Sequence, residues 1–400
     1  MRADRRRFLA GGFCALCAGP GLVACVPTDG RPQTGIDANS DLGALRTPQQ
    51  PDPTPLDEGL RVSLDREEAR VRNSRARVRD PKLVPYIEAR VAEIAGEFSS
   101  GIRPYVIRAP VFNAGQYPNG MMVINTGLLA RCRNEAQMMA VLGHEVGHYV
   151  RRHSALANEQ RQSSVDFLMV FQMMLGVAGV GGDVGRSAER LLQLQAFAYS
   201  RDHEREADEI GVRKMAELGL SPEEAAKTWE SLIAEEEAMG IARERYNPLA
   251  THPAPTERIA TLRARARELG TGLTRRERYL AAIADIRPAL FDEELRTGNY
   301  AGTISICEAW IGDDPHDALA HFTRGEAFRL RNRDDDAQHA RQALDWAASL
   351  PSAPVATFRA LGQLHRREGR ASEADRHFKR YLELAPAAPD RQAIRAMISS

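Results

Sequence analysis

The sequence predicts a mainly α-helical chain with a small β-sheet: a helical domain built around one helix with a polar centre, followed by an α-solenoid of short helix pairs. Three observations predict it. Apolar residues recur at helical spacing over most of the chain from residue 61 onward, most densely between Met138 and His153. Two apolar stretches, Pro104–Phe112 and Met121–Asn125, read as strands. From residue 284 small and aromatic residues recur at a period of about 34, the length of one packed helix pair.

In chain order, residues 1–25 form a targeting segment. Arg5-Arg6-Arg7-Phe8-Leu9 has the R-R-x-F-L form of a twin-arginine signal, and the Gly- and Ala-rich stretch up to Val23 is too short and too weakly apolar for a membrane span. Leu22-Val23-Ala24-Cys25 resembles a lipobox, in which Cys25 carries lipid and becomes the mature N-terminus; a plain signal peptide with an incidental cysteine is the alternative. Val26, rather than Asp, follows Cys25, which favours release toward the outer membrane. The expected location is therefore the periplasm, reached by the twin-arginine route, with a lipid anchor in the outer membrane. Residues 26–60, rich in Pro, Thr, Gln and Asp, read as a tether.

Cysteine usage agrees with export without disulfides. Of five cysteines, Cys14 and Cys17 leave with the signal, and Cys132 and Cys307 fall in separate expected domains. Lys+Arg and Asp+Glu each number 54 and 43% of residues are apolar, so no charge excess points to nucleic acid as a partner.

Residues 61–270 carry the chemistry. Helical patterns at Asp65–Val78 and Pro81–Phe98 precede the two strands. A helix then starts at Asn134, with Gln137 placed to complete a capping box. Within it His144-Glu145-Val146-Gly147-His148 has the form H-E-x-x-H. The i, i+4 spacing sets both imidazoles on one face, where they can hold zinc, with Glu145 beside a metal-bound water. Gly143 and Gly147 leave room for close approach of metal or backbone. Glu204 and Asp208 repeat the spacing on a second helix, so Glu204 can be the third ligand while Asp208 hydrogen-bonds a ligating imidazole. An ordinary solvated acidic face is the competing reading of that helix. Ser221-Pro222-Glu223-Glu224 starts a further helix to about Met239, and a basic helix covers Thr256 to Leu269.

Ser200-Arg201-x-x-Glu204-x-Glu206-Ala207-Asp208, placed after H-E-x-x-H, resembles the HtpX and CAAX-prenyl-protease type of gluzincin, metallopeptidase family 48. Asn113-Ala114 with Pro118 to Leu129, and Thr251-His252-Pro253 with Arg258-Ile259, resemble further motifs of that family. The resemblance implies one zinc per chain held by His144, His148 and Glu204, with Glu145 as catalytic base and Asp208 and Arg258 assisting, Arg258 at the developing oxyanion. It implies that peptide substrate adds as a strand beside Met121, Met122, Val123, Ile124 and Asn125. It also implies that His252 can occupy the fourth metal position and hold the enzyme at rest. The Met-rich apolar run 165–176, with the glycines that follow to 185, reads as a lid, a membrane contact or core.

Residues 284–396 resemble tetratricopeptide repeats, with Phe358, Leu361, Gly362, Ala374, Phe378 and Pro386 at signature positions of the clearest copy. Small Gly362 and Ala374 let paired helices approach, and Phe358 and Phe378 fill the space between them. The combined expectation is a zinc endopeptidase hydrolysing misfolded or stalled envelope proteins, with the repeats binding clients or the outer-membrane protein assembly machinery. The alternative is a repeat scaffold or assembly chaperone whose peptidase is largely auto-inhibited.

Overall fold

A computed structural model describes residues 55–151, 201–240 and 255–398. They form a mainly α-helical body with one three-stranded sheet. Helix α1 spans Pro55–Asn73 and α2 spans Leu83–Ala95. α1 starts well before the expected Asp65, with proline in its first turn, where the missing N–H has no helical partner to lose. It also stops before Val78, because residues 76–78 line the sheet instead: Val78 N–H donates to Val106 O at 2.9 Å, and Arg108 N–H to Ala76 O at 2.8 Å. α2 begins after Asp80, whose Oδ1 accepts from the N–H groups of Lys82 and Leu83 at 3.0 and 2.8 Å.

The strands are β1 (Arg103–Ile107), β2 (Ala114–Gln116) and β3 (Met121–Asn125), in spatial order β1-β3-β2. β1 runs parallel to β3 with Arg103 opposite Met121, and β2 antiparallel with Ala114 opposite Ile124. β1 is shorter than expected because Ala109 N–H turns to Thr126 Oγ1, at 2.8 Å. The β2–β3 turn needs glycine at position 120: its φ is +91°, and a Cβ there would stand 1.9 Å from Gly101 O. Both faces of the sheet are covered, which is why β3 is a continuous apolar run and not an alternation. Tyr105, Ile107, Met121 and Val123 pack with Leu64 and Val71 of α1, while Val106, Met122 and Ile124 face the main core.

Next come α3 (Thr126–Arg131), α4 (Glu135–Val150), α5 (Arg201–Glu217), α6 (Glu223–Ala238) and α7 (Pro255–Leu269). α4 is the central helix; all its residues except Ala140 and Tyr149 are buried. Asn134 caps it by accepting from Gln137 N–H at 2.9 Å. The capping box closes one residue early, since Gln137 Oε1 accepts from Arg133 N–H, not from Asn134. The amides of Asn134 and Gln137 also donate to Glu224 Oε2 at 2.8 and 2.9 Å, which ties the start of α4 to α6.

Beyond residue 270 lie α8 (Arg276–Ile283), α9 (Arg287–Arg296), α10 (Tyr300–Asp313), α11 (Ala318–Arg331), α12 (Asp336–Ser349), α13 (Ala356–Arg367), α14 (Ala371–Leu384) and α15 (Arg391–Ala396). From α10 to α14 consecutive helices stack as pairs. A Cβ at Gly362 would lie 2.5 Å from the Phe378 ring, and one at Gly325 would lie 2.6 Å from Leu344. These glycines set how closely the pairs approach. The main core extends past residue 270 through Tyr279, Ile283, Phe291 and Trp310, and it contains both Cys132 and Cys307 as free thiols, pushed up in pKa by burial. No helix among the described residues is long and apolar enough to cross a membrane.

Candidate metal centre

α4 and α5 meet at small residues. A Cβ on Gly147 would stand 2.9 Å from Ala207 Cα and 3.0 Å from Ala207 O, and one on Gly143 would stand 3.0 Å from Gly211 Cα. The room foreseen at the two glycines is therefore filled by the backbone of α5. This approach brings Glu204 to the histidine face of α4. Gly147→Ala should force the helices apart, because the obstructing atoms are backbone and cannot rotate away. The expected outcome is a loss of about 1–3 kcal/mol of stability with weakened metal binding, read by thermal melting and metal titration.

His144 Nε2 and His148 Nε2 lie 3.0 Å apart. Glu204 Oε2 is 3.4 Å from the first and Oε1 is 3.3 Å from the second. All three side chains are buried, and their ligand atoms lie within 4.8 Å of one another. Donors held tetrahedrally at about 2.0–2.1 Å from one divalent ion must sit roughly 3.3 Å apart, so this set fits a single metal ion.

A second layer supports these ligands. Asp208 Oδ1 is 2.9 Å from His144 Nδ1. Arg258 Nε and Nη2 donate to the two oxygens of Asp208 at 2.8 and 2.6 Å, and Arg258 Nη1 is 3.1 Å from Glu204 Oε2. Burial and Arg258 oppose charge on His144, but Glu204 and Asp208 outweigh them and raise its pKa to about 9. Burial pushes Asp208 up, yet Arg258 and His144 hold it down at about 2. Metal binding must displace the His144 proton. The formal charges of Glu145, Glu204, Asp208 and Arg258 together leave two negative, the complement of a divalent cation.

Glu145, also buried, accepts a hydrogen bond on Oε2 from the backbone N–H of Gln116 on β2, at 3.0 Å. This places the edge of the sheet against the centre. It also corrects one expectation. Met121–Asn125 cannot receive an added strand, because β3 is the middle strand with β1 on one side and β2 on the other. β2 is the outer strand on the side of α4. The guanidinium of Arg258 lies against Asp208 through Nε and Nη2 and beside Glu204 through Nη1, so it braces the ligand set. His252, Cys25 and the 165–185 interval lie outside the described residues.

Two contributors had gone unread in the sequence. Ala207-x-x-x-Gly211 mirrors Gly143-x-x-x-Gly147, a signal of close helix contact that spacing alone contains. Trp229, under Arg258, has no local signal.

Residues 81–266 match Peptidase family M48. The beta-barrel assembly-enhancing protease of Escherichia coli K12 is 26% identical over 215 residues, covering 50% of this chain and 42% of that protein. Its Yersinia pestis counterpart is 25% identical over 231 residues, covering 53% and 46%. The mitochondrial metalloendopeptidase OMA1 of Schizosaccharomyces pombe is 32% identical over 173 residues, covering 42% and 48%. The chain thus spans less than half the length of these relatives.

Proposed function

Residues 81–266 belong to peptidase family M48, and from that premise we propose that this chain is a zinc-dependent endopeptidase of the bacterial periplasm. The observation that carries the proposal is the buried His144, His148 and Glu204 cluster, with Glu145 alongside and Asp208 behind. Zinc, when bound, supplies a Lewis acid and lowers the pKa of water to about 7. Glu145 accepts the proton of the attacking water and delivers it to the departing amine nitrogen. Asp208 fixes the tautomer and the tilt of His144, and Arg258 holds Asp208 and Glu204.

Substrate lies along β2. Tyr117 N–H bonds Met121 O and Asn125 N–H bonds Asn113 O, so odd-numbered residues of this segment face β3. Ladder alternation turns the N–H and C=O groups of Ala114 and the C=O of Gln116 outward, where an extended peptide can pair with them largely without regard to its side chains, while the Gln116 N–H stays with Glu145. His252 is assigned as the resting fourth ligand, displaced when a client engages.

The lipobox-like Cys25 anchors the chain at the outer membrane after twin-arginine export, and the C-terminal helix pairs, read as tetratricopeptide repeats, bind clients or partners. Relatives named for β-barrel assembly support misfolded or stalled envelope proteins as the clients. The test uses an unfolded outer-membrane β-barrel protein as substrate. Chelation should stop its cleavage, zinc should restore it, and His252→Ala should raise the rate several-fold with zinc retained. Cleavage indifferent to chelation, or stoichiometric zinc in a Glu204→Ala chain, would overturn the assignment.

A further inference from the structure

We infer that Trp229 is a positioning residue of the metal centre: its indole face fixes the plane of the Arg258 guanidinium, and through it Asp208 and Glu204. The inference rests on His144, His148 and Glu204 being the metal ligands.

Arg258 is only 4% exposed, so water does not set its orientation. Its planar fork has to meet both oxygens of Asp208 at 2.8 and 2.6 Å while Nη1 stays 3.1 Å from Glu204 Oε2. A rigid plane satisfies three such contacts at one tilt only. The Arg258 guanidinium carbon lies 3.9 Å from the centroid of the Trp229 ring, a cation–π contact in a desolvated setting.

The ring is itself held. Trp229 is 6% exposed, and Phe112 meets it in an edge-on arrangement at 6.2 Å and 68°. Its helix, α6, is tied to the start of α4 through Glu224, so the indole keeps register with the helix that carries His144 and His148. Phe112 immediately precedes the Asn113-Ala114 approach to β2, which links the same ring to the proposed substrate edge. Bulk alone would serve if the role were filling space. The π face adds an attraction to the cation that an aliphatic side chain of similar reach does not have.

The two roles separate by experiment on the full chain. Zinc affinity is measured by chelator competition, beside the melting temperature, for Trp229→Leu, Trp229→Phe and the core control Leu232→Ala. We expect Trp229→Leu to weaken zinc binding about 10- to 30-fold, as loss of a desolvated cation–π contact behind a ligand should. Trp229→Phe should stay within about threefold of the unmodified chain, because it keeps an aromatic face. Leu232→Ala should melt earlier without a change in zinc affinity. If Trp229→Leu does not fold, Trp229→Met carries the same comparison. Zinc affinity unchanged in the aliphatic variant, or lowered equally in Trp229→Phe, would overturn the inference. An unmodified chain that binds no zinc would instead overturn the ligand assignment beneath it.

Discussion

Glu145→Gln should leave the fold and the metal in place and slow peptide hydrolysis by about 10²- to 10⁴-fold, the range that loss of a general base produces. The glutamine is isosteric, and its Oε1 can still accept the Gln116 N–H that Glu145 Oε2 accepts at 3.0 Å, so the sheet edge stays where it is. What disappears is the group able to take the proton of the attacking water. Metal content by mass spectrometry and cleavage of an unfolded substrate make the check. Retained metal with activity within tenfold of the unmodified chain would remove Glu145 from the base role. The same variant in cells separates the peptidase from the scaffold reading. Clients that accumulate uncleaved favour proteolysis, whereas normal turnover that fails only on removal of the C-terminal helix pairs favours a scaffold.

The parts of the site that lie within single helices could be read from the sequence. His144 and His148, and Glu204 and Asp208, are each one turn apart on one helix, and periodicity fixes such relations before any tertiary structure is known. The glycines at 143 and 147 announced a close approach, although not that the approaching group would be Ala207 and Gly211 of α5. What could not be read depends on pairings distant in sequence. The place of Met121–Asn125 within the sheet follows from β1 and β2 closing on both its sides, and an apolar run reads the same in the middle of a sheet as in a strand buried at its edge. The orientation of Arg258 follows from Trp229, contributed by a different helix, and no pattern around position 258 encodes it. The extent of the core is the same kind of property. A 34-residue period marks where helix pairs begin, but not which of them a neighbouring domain has drawn into its own interior.

That distinction gives the second large effect: ending the chain after Ile283 should abolish folding of the peptidase domain, whereas ending it after Arg333 should not. Phe291 and Trp310, each 1% exposed, belong to the same apolar core as Leu128, Met138 and Trp229. Trp310 Nε1 also donates to Ala130 O at 2.8 Å, just ahead of α4. Partly buried Arg131 is shared between Glu235 of α6 and Glu294 of α9, with contacts of 2.7 Å to each, so the shorter chain keeps only one of its two carboxylate partners. Removing two buried aromatics of this size forfeits about 3–5 kcal/mol each, already comparable with the roughly 5–15 kcal/mol by which a domain is stable. The helices from Asp336 onward pack differently. Ala340, Leu344 and Leu361 form one separate cluster, and Ala374, Phe378 and Tyr381 form another; neither includes a residue of the metal-bearing helices. Their removal exposes one face of α11 and leaves the main core whole. Circular dichroism melting and zinc titration of the two truncated chains decide the matter. A folded, zinc-binding chain ending at Ile283 would show that α9 and α10 are dispensable to the peptidase. Loss of zinc binding in the chain ending at Arg333 would show that the outer helix pairs reach the metal centre after all.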